Sequence, residues 1–218
     1  MGERHVSVDL KGHEKQPVVA IDNYCADPAA LVDLARSLTF EPIGPFYPGI
    51  RAPMPKGEYG ALFAPLSEIL RGVFGYGARA HIDECFFSLV TTKPADLAPI
   101  QRMPHFDGVE PNRIAVLLYL CPPEHGGTSF YRHRGTGFET VSAARLDGYR
   151  ASLDADVRAH GLPEAWLYPR RHAGVRACQP LWRRVQPHAD LSRRQSALRG
   201  HRRQLQLRPQ SKRWPFDA

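Results

Sequence analysis

Apolar and polar positions along this chain follow two rhythms, one of strands and one of helices. Val18–Tyr24 (Val-Val-Ala-Ile-Asp-Asn-Tyr) is β-branched and apolar and stops at polar turn residues, which predicts a strand. Asp27-Pro28 then predicts a helix start, with Asp as N-cap and Pro at the first helical position. Leu31, Leu34, Ala35 and Leu38 follow at helical spacing and predict a core-facing stripe. A second helix is predicted near Tyr59–Val73, with Pro65 inside it as a kink or boundary. Strands are predicted at about Ala78–Thr91, Arg113–Leu120 and Thr128–Arg134. The last helix, Ser142–Ala159, places Leu146, Tyr149, Leu153 and Val157 on one side and ends at Gly161, a C-terminal signal.

Between these elements, Pro42–Lys56 holds five prolines and two glycines and predicts a loop. Within it, Tyr47-Pro48-Gly49-Ile50-Arg51 reads either as site lining or as a packed surface loop. Helices early and strands later predict an α+β chain, with antiparallel sheets under helical cover. There are no internal repeats. The length of 218 residues suits one domain with its own core.

Charge changes the picture at the C-terminus. The net charge is +7, which invites a nucleic-acid reading. Yet residues 170–218 hold twelve Arg and one Lys against two acids, Asp190 and Asp217, so residues 1–169 carry more acids than bases. The last stretch also lacks a helical or strand period and is poor in aliphatic residues, which predicts a disordered tail. The domain is therefore expected over 1–169, with an Arg-rich tail over 170–218. Only Trp182 and Trp214 interleave with the tail's arginines, which argues against a selected nucleic-acid surface. The four cysteines (Cys25, Cys85, Cys121, Cys178) have no Cys-x-x-Cys spacing and predict free thiols in a reducing, cytoplasmic setting. No apolar run approaches the roughly 18 residues of a membrane span, and the polar Met1–Gln16 predicts no signal peptide.

The candidate chemistry lies at His105-Phe106-Asp107-Gly108. His-x-Asp occurs three times, at His81/Asp83, His105/Asp107 and His188/Asp190. Residues i and i+2 of an extended segment point the same way, so each pair could grip one ion. Only the 105/107 pair precedes a strand pattern (Arg113–Leu120) and then a Gly-Gly turn, Gly126-Gly127-Thr128-Ser129-Phe130. The 81/83 pair has no such turn after it, and the 188/190 pair sits in the unpatterned tail. His125 reads as loop, and Arg132-His133-Arg134 as a solvated strand end or a contact for an acidic substrate.

The block from Pro104 to Phe138 resembles the prolyl-hydroxylase-like branch of the Fe(II)/2-oxoglutarate-dependent dioxygenases, and more closely an uncharacterised bacterial family within that superfamily. The shared pattern is His-x-Asp, a strand ending Tyr119-Leu120, a short loop, Gly-Gly, and a strand with Thr and Phe; the likeness spans about residues 17–168. It implies a double-stranded β-helix (jelly-roll) core, Fe(II) and 2-oxoglutarate as cofactors, and His105 and Asp107 as two of three iron ligands. It also implies a hydrogen bond from Tyr119 to 2-oxoglutarate, although an ordinary core tyrosine is the plain reading of that residue. Oxidation of a small-molecule or peptide substrate, coupled to decarboxylation of 2-oxoglutarate, is the implied activity.

The third ligand, a distal His, is missing. His172, His188 and His201 lie in no strand-like context, and none is nominated. A reading frame moved forward by one nucleotide across residues 173–217 permits Leu-His-Ser-Gly and, later, Gly-Arg-Leu-Thr, which look like the family's distal His and 2-oxoglutarate-binding Arg. The expectation is a one-base insertion or deletion near codons 167–173. It leaves this protein impaired as an enzyme, or an inactive truncated product. A binding protein whose basic tail contacts nucleic acid is the remaining alternative.

Overall fold

The structure is a computed structural model, which describes residues 3–76, 80–122, 125 and 127–163, and the backbone of 175–180 and 202–206. The first element is a hairpin. Strand β1 (His5–Lys11) pairs antiparallel with β2 (Gln16–Asp22), from His5 opposite Asp22 to Lys11 opposite Gln16. The second strand is legible in the sequence as Val18–Tyr24; the first lies in the polar N-terminal stretch, where no strand is predicted.

Helix α1 (Pro28–Arg36) starts as its sequence requires. Asp27 accepts a hydrogen bond from the Ala30 N–H at 2.9 Å, and Pro28 occupies the first position. Leu31 is buried, and Leu34, Ala35 and Leu38 pack against the same cluster. The predicted second helix is broken at Pro65. It consists of α2 (Tyr59–Phe63), a 3₁₀ turn over Ala64–Leu66, and α3 (Ser67–Gly72). Helix α4 (Leu146–His160) ends at Gly161, where φ is 74°.

The Pro-rich stretch is not all loop. Gly49–Pro53 forms strand β3, antiparallel to β4 (Phe86–Val90). Strand β5 (Leu117–Tyr119) is shorter than the pattern predicts. Strand β6 (Ser129–His133) pairs antiparallel with β7 (Val175–Pro180), and β8 (Arg202–Gln206) lies between β4 and β5. The sheets are thus β1-β2, β3-β4-β8-β5 and β6-β7, all antiparallel. Two segments of the Arg-rich stretch are therefore strands, although their sequences carry no apolar alternation. Strand pairing draws on backbone N–H and C=O groups, which every residue but Pro has in full. The rest of the predicted tail lies outside the described residues.

The core forms where α1, α2 and the inner face of the β3–β4 pair meet, around Leu31, Met54, Leu62, Cys85 and Phe87. Cys85 Sγ lies 3.5 Å from Met54 Sδ, and burial pushes its thiol up to about 12. Cys85 and Cys121 are buried and Cys25 half-buried, and none of the three is in a disulfide among the described residues; the Cys178 side chain lies outside them. No helix among the described residues is long and apolar enough to cross a membrane.

A reciprocal carboxylate clamp ties the β1–β2 turn to the loop after β6. Glu139 accepts the N–H groups of His13 and Glu14 and the Arg132 guanidinium. Glu14 in turn accepts the N–H groups of Glu139 and Thr140, the Thr140 hydroxyl and Arg145. Burial alone would raise the Glu14 pKa. The hydrogen bonds from Thr140, Arg145 and Glu139, with the charge of Arg145, outweigh it and hold the carboxyl below its ordinary value.

Candidate metal centre

The three His-x-Asp pairs separate by place. His81 Nε2 is 2.8 Å from Asp83 Oδ1, but the histidine is 85 % exposed, a surface pair. The 188/190 pair lies outside the described residues. His105 and Asp107 sit on the irregular segment between a 3₁₀ turn (Pro99–Arg102) and β5, with Nε2 and Oδ1 3.6 Å apart. They border a cavity of about 840 Å³ that Val18 and Val19 of β2, Tyr47, His133 and Tyr149 also line.

Neighbours hold this segment in place from both sides. The Arg113 guanidinium donates to the Asp107 carbonyl at 2.8 Å and pairs with Glu110 at 3.3 Å. Gly108 follows with φ at 155°, a backbone state that side-chain-bearing residues rarely adopt. Phe106, between the two donors, meets the Tyr149 ring of α4 edge-on, centroids 5.7 Å apart.

The donors fit one ion. First-row metals bind imidazole nitrogen and carboxylate oxygen at about 2.0–2.2 Å, so two donors on one ion lie at most roughly 4.3 Å apart. The observed 3.6 Å is inside that limit. His105 retains 47 % and Asp107 25 % of its side-chain exposure, so an ion has access. Among the described residues, no group of three His, Cys, Asp or Glu side chains is placed to hold a metal.

Tyr119, at the end of β5, has its hydroxyl hydrogen-bonded to the Thr128 hydroxyl and does not border the cavity. A satisfied half-buried tyrosine is what the structure shows. Tyr47 and Pro48 do line the cavity, whereas Gly49–Arg51 enter β3. Arg51 is buried, with its guanidinium 3.8 Å from the Tyr47 ring centroid.

His133 departs from the sequence reading. It is 4 % exposed rather than a solvated strand end. The Thr136 backbone N–H donates to Nδ1 at 3.3 Å, and Nε2 lies 2.9 Å from Asp156 Oδ2. The Tyr149 ring stands edge-on to this imidazole at 5.0 Å, and burial raises the Tyr149 pKa. Asp156, His133, Tyr149 and Phe106 thus form a series of contacts that ends between the two candidate ligands. The sequence pattern places Tyr149 on the inner face of α4, but nothing in it pairs residues 133 and 156. Arg132 is held by Glu139 at 2.7 Å, so it is no open contact for an acidic substrate.

Residues 3–173 match the model of a family of unknown function (DUF6445). No curated protein matches the chain. No solved structure matches it either.

Proposed function

The chain belongs to the DUF6445 family, which has no known activity to lend it, and we propose from its own residues that it is an Fe(II)/2-oxoglutarate-dependent oxygenase-like protein, built on a double-stranded β-helix. The observation that carries this reading is the His105–Asp107 pair, 3.6 Å apart on the wall of a large cavity. Antiparallel pairing in every sheet supports the jelly-roll core.

In this reading His105 and Asp107 hold Fe(II), which with 2-oxoglutarate supplies the oxidising chemistry. The protein's part is geometry and exclusion of water. Arg113 and Gly108 fix the turn that aims Asp107, while Phe106 on Tyr149 fixes the backbone direction between the ligands. Tyr119 does not border the cavity, so the hydrogen bond to 2-oxoglutarate that the resemblance implies would require its side chain to leave Thr128 and swing into it.

The distal His and the carboxylate-binding Arg belong, in the same proposal, to the reading frame shifted by one nucleotide. The family match ends at residue 173, where the proposed break at codons 167–173 lies, and the abrupt basic composition beyond it points the same way. This observation also favours the second reading, that the chain as it stands is the inactive product of a frameshifted gene. Resequencing codons 165–218, and expressing the protein in the restored frame, tests both. The restored protein is expected to convert 2-oxoglutarate and O₂ to succinate and CO₂ with Fe(II), the second oxygen atom going to substrate, and the chain as it stands to do so at least about 100-fold more slowly. A shifted frame without Leu-His-Ser-Gly and Gly-Arg-Leu-Thr would overturn the account of the C-terminus. A restored protein that binds iron and leaves 2-oxoglutarate untouched would overturn the activity.

A further inference from the structure

Strand β1 is the outer strand of its hairpin. Among the described residues it pairs with β2 alone, and on one face it carries Val6, Val8 and Leu10 at 43, 48 and 63 % exposure. Single exposed aliphatics need no explanation. Three at alternate positions on an open-edged strand mark a place where another strand adds.

Pro17 settles which backbone groups face that edge. It stands opposite Leu10 and has no N–H, so this pair cannot exchange two hydrogen bonds. Alternation then assigns the exchanging pairs to Lys11–Gln16, Asp9–Val18, Ser7–Ala20 and His5–Asp22. The N–H and C=O groups of Val6, Val8 and Leu10 therefore point outward. A second β1 added antiparallel must set outward residues against outward residues, which confines the register to two-fold axes centred on a residue.

Charge selects among these. Centring on Val6 sets Glu3 against Asp9, and centring on Val8 sets His5 against Lys11. Centring on Ser7 sets Glu3 against Lys11, His5 against Asp9 and Val6 against Val8, each twice by symmetry, with Lys11 and Asp9 giving up their 3.1 Å contact within the strand for these. We propose that β1 binds the β1 strand of a second copy of this protein, antiparallel about a two-fold axis at Ser7, giving a continuous sheet β2-β1-β1-β2. Strand addition of this length buries little area, so the dimer is concentration-dependent. The inference is independent of any metal.

Sedimentation velocity of the full-length protein over a wide concentration range tests it, with two variants. In the proposed register, position 7 faces its symmetry mate across a non-exchanging pair, Cα atoms about 4.5 Å apart, within disulfide reach. Ser7→Cys is therefore expected to cross-link between copies on oxidation, mapped to position 7 by peptide mass spectrometry. Asp9→Lys, on an exposed side chain, is expected to weaken dimerisation about tenfold. A monomer at every concentration would overturn the proposal. So would a dimer that neither cross-links at position 7 nor responds to Asp9→Lys.

Discussion

At Gly108 a single missing side chain decides how the candidate centre is held. With φ at 155°, a Cβ there would run into the carboxylate of Glu110 and stand 2.9 Å from the guanidinium of its partner Arg113, which donates to the Asp107 carbonyl. Gly108→Ala is expected to destabilise the protein by about 1–3 kcal/mol, read from its denaturation midpoint, and to weaken metal binding with it. Glu14 makes a pH prediction. Its folded pKa lies below the ordinary 4.5, so its contribution is complete above that value and fades as pH falls through the folded pKa. The urea midpoint is expected to drop below about pH 4.5, and Glu14→Gln to remove that part of the acid dependence while lowering stability at neutral pH. Few of these residue-level facts are legible in the sequence. His105 and Asp107 stand out because their spacing is local. The His133–Asp156 pair joins a strand to a helix, and only tertiary packing brings it together.

Elements are readable where the sequence punctuates itself. The Asp27 cap, the Pro65 break and the Gly161 stop each act on the nearest turn of helix, so α1, the α2–α3 break and the end of α4 follow from local chemistry. Asp27→Ala is expected to cost about 1 kcal/mol, measurable as a fall in the unfolding midpoint. Strand β3 is hidden among prolines, because it is only five residues long, follows Pro48 directly and ends on Pro53. Its Gly49 is required by the sheet itself: a Cβ there would fall 1.9 Å from the Leu89 carbonyl oxygen of β4. Strand β1 does carry its signal, the alternation of Val6, Val8 and Leu10 with polar residues. The polar majority of Met1–Gln16 conceals it.

On the scale of the whole molecule, the third sheet position is the telling one. Strands β4 and β5 do not touch as neighbours; β8, from beyond the family match, separates them. In this chain residues beyond 173 complete the sheet that carries Tyr119, and the shifted frame of the proposal would set a different sequence there. No periodicity in residues 170–218 foretells a strand there, since the pairing observed is a matter of backbone groups. The half-site itself is accessible to experiment without its missing partner. The most direct measurement is a titration of the full-length protein with Mn(II), followed by electron paramagnetic resonance, beside His105→Ala. The account predicts one weak site in the parent protein that His105→Ala abolishes. Equal binding by both proteins would contradict it.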